Sequence, residues 1–297
     1  MDHSAAEEKS VTLLEDDEFR AALRKWFEGF HAHVRSMSEE DIRLRINSYL
    51  RQEEQYREKV RFILHTLSDR GARPQTALDI GSSAGGLSVA LAQAGLTVDG
   101  VEPSAAGVTA AELRAKRCGV AAASFQVGIG EALPFPDGRF DLVVSVAVLE
   151  HVQDPQAVVR ETFRVLRPGG HAMFEVPNYL FPFEPHYKIA WLPMMPKPLG
   201  KLYASARGGN PDFLDELNYT NAWNVRRLFD RAGFVEMRDL YASYLAGKAE
   251  QAPWAGRGGR LARMPWSAGL IRTLLSAGPG AWFLNRAVYL LARKSPR

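Results

Sequence analysis

Two carboxylates near the middle of this sequence each accompany an apolar run that reads as a short strand. Asp79 lies in the run 77–80 and Glu102 follows the run 96–101, with a glycine-rich loop at 81–86 and a helical pattern between them. A strand, a glycine turn, a helix and a second strand predict a βαβ unit with parallel strands. A carboxylate about 20 residues beyond such a loop can accept hydrogen bonds from both hydroxyls of a ribose. Glu102 therefore predicts a nucleoside site.

The residue types of the loop indicate which nucleoside binds. In dinucleotide-binding folds the second glycine lets the backbone approach a pyrophosphate, and Ser83 takes that place here. Asp79 would repel phosphates and favour a cationic group such as a sulfonium or ammonium. Both departures favour S-adenosylmethionine over NAD as the cofactor.

The same loop allows a second interpretation. Residues 81–85, GSSAG, match the G-x-S-x-G nucleophile elbow of α/β-hydrolases, with Ser83 as the nucleophile. That elbow normally follows several strands of a sheet, whereas the residues before Ala77 have helical patterns. A hydrolase is therefore the less favoured interpretation, and a fluorophosphonate would label Ser83 if it were correct.

The segments around this unit predict an α/β protein with a doubly wound, mostly parallel, seven-stranded sheet. N-terminal helices are expected in 1–73, a Rossmann-like core in 74–178, a lid insertion in 179–218, and the rest of the core in 219–297. One helix is expected at about 18–33 and a second from Ser38 to about Asp69, followed by helices at about 87–94, 105–117, 154–166 and 221–232. Further strands are expected at about 122–127, 140–147, 172–176, 234–241 and 285–294.

Composition limits the class of protein. The 297 residues are 46% hydrophobic and 24% charged, which is typical of a globular chain. The single cysteine, Cys118, excludes an intramolecular disulfide and a cysteine-rich metal site, and no metal-binding set is predicted. The N-terminus lacks a signal-peptide pattern, and no apolar run approaches the roughly 18 residues of a spanning helix. We therefore expect a cytoplasmic protein.

Four motifs follow one another in unbroken order between residues 77 and 177: DIGSSAGG, VEPS, EALPFPDGRFDLVVSVAVLEHVQDP and ETFRVLRPGG. Together they resemble the class I S-adenosylmethionine-dependent methyltransferases, in particular the type 11 group. The resemblance implies a methyltransferase in which Asp79, Gly81 and Gly85 surround the methionine end of the cofactor and Glu102 holds its ribose. It also implies an antiparallel last strand. The other cofactor contacts that we expect in this part of the sheet are Ser83, Pro103 and Ser145.

One position departs from the family pattern. Where the family often has Gly-Asp, with the aspartate accepting from the adenine amino group, this chain has Gly128-Ile129. Adenine recognition would then depend on backbone atoms near Gly130, on apolar contact with Ile129, or on Glu131 turned inward.

Histidines are the candidates for acid–base chemistry, because a hydroxyl acceptor must lose a proton and histidine titrates near neutral pH. His186 lies in the insertion 179–218, which resembles the segment that closes over the acceptor, and it is the leading candidate for the base. His151 is the second candidate. Tyr187 is a third catalytic candidate and could orient the substrate together with Glu184. We expect methylation of a small-molecule or glycolipid hydroxyl; carbon or nitrogen methylation, and a cofactor-binding protein without activity, are the alternatives.

The C-terminal part of the chain is basic. After Glu250 it has eight basic residues and no acidic one. Tryptophans and leucines interleave with arginines at about 251–284, a composition suited to peripheral contact with anionic lipid at the inner membrane face. A helical cover packed on the lid is the equal alternative. Nucleic acid is not expected as a partner, since the arginines are spaced among glycine and tryptophan without a binding module.

Overall fold

A seven-stranded sheet forms the centre of the molecule. The computed structural model describes residues 16–31, 39–241, 243–245 and 286–296. Its strands are β1 (Thr76–Ile80), β2 (Thr97–Glu102), β3 (Ala123–Val127), β4 (Phe140–Val146), β5 (Leu166–Pro177), β6 (Phe183–Glu184), β7 (Ile189–Ala190), β8 (Phe234–Asp239) and β9 (Ala287–Lys294). The sheet has the order β3–β2–β1–β4–β5–β9–β8, with β1 to β5 parallel and β9 antiparallel to both neighbours. The predicted doubly wound α/β sheet is confirmed.

Helices cover both faces of this sheet. They are α1 (Asp17–His31), α2 (Glu39–Leu50), α3 (Glu53–Ser68), α4 (Gly86–Gln93), α5 (Ala105–Arg117), α6 (Pro155–Val165), α7 (Lys197–Ala206) and α8 (Ala222–Ala232). Successive strand residues point to opposite faces. Leu78 accordingly packs in the apolar cluster that includes α6 and α8, whereas its neighbour Ala77 packs in the cluster that includes α3 and α4.

The prediction of one helix from Ser38 to about Asp69 is wrong, because the chain is interrupted between α2 and α3. The Gln52 N–H donates to the Tyr49 carbonyl at 3.2 Å, three residues back rather than four. This tightened turn changes the direction of the chain. As a result α2 packs with α1 in one apolar cluster, and α3 packs with α4 in another.

The insertion after β5 has a small apolar core of its own. Its β6–β7 hairpin, α7 and a 3-10 helix (Pro211–Glu216) surround buried Trp191 and Phe213. The Asn218 side-chain amide donates to the carbonyls of Leu149 and Val152, and the Asn218 N–H donates to the Glu150 carbonyl at 2.7 Å. The insertion is therefore tied to the loop that follows β4.

Strand β5 begins six residues earlier than expected. Leu166 pairs with Phe140, and the register then shifts before His171 pairs with Leu142. Gly169, with φ +79°, lies in this interval. Residues 168–170, which lie between the expected helix and the expected strand, therefore form an irregularity within the strand rather than a loop before it.

Several predictions concern residues outside the described ranges: the helix cap at Ser38, the helix end at His33 and the basic insertion at 251–284. Within the described ranges, no helix combines the length and the apolar character needed to cross a membrane.

Candidate functional site

A cavity of about 790 Å³ opens at the carboxyl ends of β1, β2 and β4. The strand order reverses between β1 and β4, and open α/β sheets bind ligands at such a switch point. Four of the residues predicted from the sequence to contact the cofactor line this cavity, namely Gly81, Ser83, Glu102 and Pro103. We call it the cofactor cavity.

The backbone at Gly81 requires glycine. Its φ is +73°, and a Cβ atom there would lie 2.3 Å from Cγ2 of Val148, which also lines the cavity. The Gly81 N–H donates to the Val101 carbonyl at 2.8 Å, which holds the turn against the end of β2. The glycine thus lets β1 and the loop after β4 approach each other at the cavity floor.

Glu102 lies at the cavity wall with its carboxylate held in place. The Ser83 N–H donates to Oε2 at 3.1 Å, and the Ser104 N–H donates to Oε1 at 3.2 Å. Burial raises the pKa of Glu102, although these two N–H groups and the Trp26 side chain act to lower it. Each carboxylate oxygen can accept more than one hydrogen bond, so acceptor capacity remains for a ligand hydroxyl.

Ser83 lacks the surroundings of a nucleophile. Its hydroxyl donates to the Gly81 carbonyl at 3.4 Å, and no hydrogen bond in the described part of the chain joins it to a histidine. Its loop follows β1, with only helices before it in the described chain. The hydrolase interpretation thus lacks both the base and the preceding strands that it needs.

The three residues expected near adenine, Ile129, Gly130 and Glu131, also line the cofactor cavity. Ile129 is 50% exposed, which leaves an apolar surface for a ring. The Glu131 carboxylate accepts from the Gln153 N–H at 2.9 Å, so it links two loops of the cavity rim.

Three expected cofactor contacts do not line this cavity: Asp79, Gly85 and Ser145. Asp79 points under the loop, where it accepts from the Ser88 hydroxyl at 2.6 Å, and burial raises its pKa to about 7. Gly85 has φ +77°, and a Cβ atom there would lie 2.9 Å from Cβ of Ala111, so the packing of this turn against α5 leaves no room for a side chain. Ser145 is fully buried in β4.

One wall of the cavity was not predicted from the sequence. Trp26 and Phe27 of α1 and Tyr49 of α2 line it, opposite the strand ends. The two α1 residues lie on the apolar face of this helix and are also buried in the cluster between α1 and α2. Helical spacing alone does not distinguish a core aromatic residue from one that also faces a ligand.

A second cavity, of about 570 Å³, lies on the other side of the β4 end. We call it the acceptor cavity. Lys59 and Glu175 form an ion pair in its wall. Five tyrosines supply much of its surface, namely Tyr56, Tyr179, Tyr241, Tyr244 and Tyr289.

The two cavities meet where β4 ends. Val146, Ala147 and His186 line both of them. Ala147 has φ +56°, uncommon for a residue other than glycine, and its N–H donates to the Glu175 carbonyl at 2.9 Å. We call this place the junction, and a group transferred between two bound molecules would cross it.

Both histidines predicted as bases meet at the junction. Their Nε2 atoms lie 3.2 Å apart, and His151 faces the cofactor cavity. Nδ1 of His186 is 2.7 Å from Oε1 of Glu184, a fully buried carboxylate that also accepts from the Tyr179 hydroxyl at 3.2 Å. The buried carboxylate fixes the ring and favours a proton on Nδ1, which makes Nε2 of His186, the atom beside Nε2 of His151, the acceptor nitrogen of the ring.

Glu150 was not among the predicted site residues, yet it lines the acceptor cavity beside this pair. It is 1% exposed, and burial raises its pKa to about 7. Its Oε1 lies 4.0 Å from Nε2 of His151. In the sequence its only signal was its place before His151 at the end of a buried strand.

Tyr187, the third catalytic candidate, lines neither of these two cavities. Its hydroxyl donates to the Asn210 carbonyl at 2.6 Å within the insertion. Its N–H donates to Oε2 of Glu184 at 2.6 Å. Tyr187 therefore helps to hold Glu184 in place, and its ring serves the core of the insertion.

Residues 78–174 match the family model described as a methyltransferase domain. An uncharacterized methyltransferase of Mycolicibacterium gilvum is 41% identical over 114 residues, which are 38% of this chain and 44% of the relative. A ubiquinone biosynthesis O-methyltransferase of Pseudomonas paraeruginosa is 35% identical over 116 residues, 37% of this chain and 50% of that protein. Norajmaline N-methyltransferase of Rauvolfia serpentina is 41% identical over 103 residues, 34% of this chain and 35% of that protein. The chain thus spans half or less of the length of these relatives.

Solved structures share the fold. A candidate sarcosine dimethylglycine methyltransferase from Galdieria sulphuraria covers 94% of this chain and 99% of its own, with a TM-score of 0.51 and 18% identity. A geranyl diphosphate methyltransferase in complex with SAM covers 81% of this chain and 85% of its own, with a TM-score of 0.50 and 20% identity. Residues 78–174 thus match a methyltransferase domain of the type 11 group, and the chain shares the fold of these solved methyltransferases.

Proposed function

We propose that this protein transfers a methyl group from S-adenosylmethionine to a hydroxyl oxygen of a small-molecule or glycolipid acceptor. The junction at Val146, Ala147 and His186 carries this proposal, because one cavity that suits a nucleoside opens there onto a second cavity. When bound, S-adenosylmethionine supplies an electrophilic methyl group. Holding two reactants in attack geometry can remove about 7 to 11 kcal/mol of a barrier.

The residues of the cofactor cavity suit this cofactor. The Glu102 carboxylate would accept from the ribose hydroxyls, and the exposed face of Ile129 would contact the adenine. The Gly81–Ser83 turn has no glycine at the place where a pyrophosphate would approach.

The choice of oxygen as the acceptor atom depends on the histidine pair. An amine can attack as the free base, whereas a hydroxyl must lose its proton during the transfer. His151 and His186 meet at the junction, so both can reach the reacting atom of an acceptor. The relatives include both an O- and an N-methyltransferase, so the acceptor atom must be found by experiment.

A panel of acceptors tests the proposal. Release of S-adenosylhomocysteine would be measured with phenols, sugars, glycolipids and matched amines. We expect turnover with hydroxyl acceptors, and a loss of roughly 100-fold or more in kcat for His186→Ala and His151→Ala, with the cofactor affinity retained. His65→Ala, an exposed histidine on α3, is the control. Turnover with amines alone would contradict oxygen as the acceptor atom, and cofactor binding without any turnover would support the inactive alternative.

A glycolipid acceptor would also give the basic segment 251–284 a role at an anionic bilayer, most simply at the inner face of the cytoplasmic membrane. Its arginines and tryptophans suit that contact. Flotation with anionic vesicles at low salt tests this part. Protein that stays in the soluble fraction would contradict it.

A further inference from the structure

Three side chains converge at the junction with the geometry of a metal site. Glu150, His151 and His186 each offer one ligand atom, and these atoms all lie within 4.8 Å of one another. They come from two separate parts of the chain, the loop after β4 and the insertion. Asn218 ties these two parts together by three hydrogen bonds to the backbone of the β4 loop.

The two histidines already have the spacing of ligands on one ion. Two nitrogens bound tetrahedrally at about 2.0–2.1 Å from a metal lie about 3.3 Å apart. The Nε2 atoms of His151 and His186 are 3.2 Å apart, and their rings are nearly perpendicular, at 86°. A small movement would place one ion between them.

Contacts behind the ligands are also those of a metal site. Ligating histidines usually donate their other ring N–H to a carboxylate, which fixes the tautomer and raises the basicity of the ligand atom. Nδ1 of His186 is 2.7 Å from the fully buried Glu184 carboxylate. Glu184 is fixed in turn by the Tyr179 hydroxyl and the Tyr187 N–H.

Glu150 provides a second, independent observation. Its side chain is 1% exposed, and within the described chain its Oε2 atom has no hydrogen-bond partner. A buried polar atom without a partner requires an explanation, and a missing ion is one of the accepted ones. The carboxylate must approach the histidine nitrogens by roughly 1 Å to complete a two-histidine, one-carboxylate set.

We propose that Glu150, His151 and His186 bind one divalent transition-metal ion, such as Zn²⁺, at the junction of the two cavities. Three protein ligands leave a coordination position open, as in catalytic metal sites. Since His186 and Glu150 line the acceptor cavity, that position would face the acceptor. Resting on the proposed function, the ion would bind the acceptor hydroxyl and lower its pKa, so that its proton would pass to solvent and the oxygen would take the methyl group from the sulfonium. His186 would then act as a ligand rather than as the general base.

Co²⁺ titration of the protein, without cofactor or acceptor, tests the site directly. We expect one equivalent with visible ligand-field bands, displaced by Zn²⁺. The ligand-field bands and their displacement by Zn²⁺ should both be absent in His151→Ala and His186→Ala. The affinity for Co²⁺ should fall in Glu150→Gln. Glu184→Gln should weaken binding by about 10- to 100-fold, because it acts through His186. His65→Ala is the matched control and should bind as the unmodified protein does.

Far-UV circular dichroism of each variant shows that it is folded, because His151 and His186 line the cofactor cavity and their substitution could itself change the binding of S-adenosylhomocysteine. Absence of Co²⁺ bands, or bands unchanged in both histidine variants, would overturn the metal proposal. Chelation that leaves methyl transfer intact would also overturn it, while leaving the proposed function in place with His186 as the base. Failure of cofactor binding, in contrast, would contradict the proposed function and not the metal site.

Discussion

The cofactor cavity and the acceptor cavity differ in how the chain builds them. The cofactor cavity comes mainly from one stretch, residues 80–157, in which short turns follow successive strands. The acceptor cavity draws on five separate segments, near Lys59, Glu150, Glu175, Tyr241 and Tyr289. A local motif can therefore encode the first, whereas the second depends on how distant parts of the fold pack. This difference predicts which substitutions affect the cofactor and which do not.

The largest effect is expected at Gly81, where backbone and packing both require glycine. Gly81→Ala would place Cβ 2.3 Å from Val148 at φ +73°. We expect the affinity for S-adenosylhomocysteine to fall by about 30-fold or more, since overpacking costs about 1–3 kcal/mol and positive φ about 1–2 kcal/mol more. Gly95→Ala is the control, because Gly95 also has positive φ but no atom lies within 4 Å of its Cβ position. Calorimetry showing equal affinities for the two variants would contradict the close approach at the cavity floor.

Asp79 should make stability depend on pH. Its pKa is raised by burial from 3.8 to about 7, so the folded protein holds a proton that the unfolded chain has lost between these values. The unfolding free energy must therefore fall as the pH rises from about 4 to about 7, and Asp79 adds no further change above that. Denaturant unfolding at pH 5 and pH 8 measures this effect. From pH 5 to pH 8 the unfolding free energy of Asp79→Asn should rise by roughly 2–3 kcal/mol relative to that of the unmodified protein. A parallel pH dependence of the two proteins would show that Asp79 is not the group that titrates.

Trp26 tests whether α1 belongs to the cofactor cavity. Trp26→Phe keeps an aromatic ring in the cluster but removes part of the cavity wall and the indole beside Glu102. We expect S-adenosylhomocysteine to bind about 2- to 10-fold more weakly, with the fold retained. If calorimetry shows that Trp26→Phe binds S-adenosylhomocysteine as tightly as the unmodified protein does, Trp26 packs α1 but does not contribute to cofactor binding.

Glu175 should give the smallest effect on the cofactor. Glu175→Gln breaks the ion pair with Lys59 in the acceptor cavity. Because Glu175 does not line the cofactor cavity, the affinity for S-adenosylhomocysteine should stay within about twofold, or 0.4 kcal/mol. A larger loss would mean that the two cavities do not act as separate binding sites.

The same contrast explains what the sequence could predict. Glu102 was predicted from the sequence because strand ends and glycine turns have local signatures, and parallel strands bring those ends to one edge. Gly81 and Ile129 were expected from the resemblance to the type 11 methyltransferases. The meeting of His151 with His186, 35 positions apart, could not be derived from spacing, since the path of the insertion depends on its own apolar core around Trp191. The wall formed by Trp26 was hidden for a similar reason, because the stripe that packs α1 also faces the cavity.

The central claim is that the Glu102 carboxylate, beside the Gly81 turn, holds the ribose of an adenosine cofactor. Titration calorimetry with S-adenosylhomocysteine, on the unmodified protein and on Glu102→Ala, tests it most directly. We expect one site on the unmodified protein and an affinity at least tenfold lower in the variant, which corresponds to about 1.4 kcal/mol or more. No binding by the unmodified protein, or equal affinity in the two proteins, would contradict the claim.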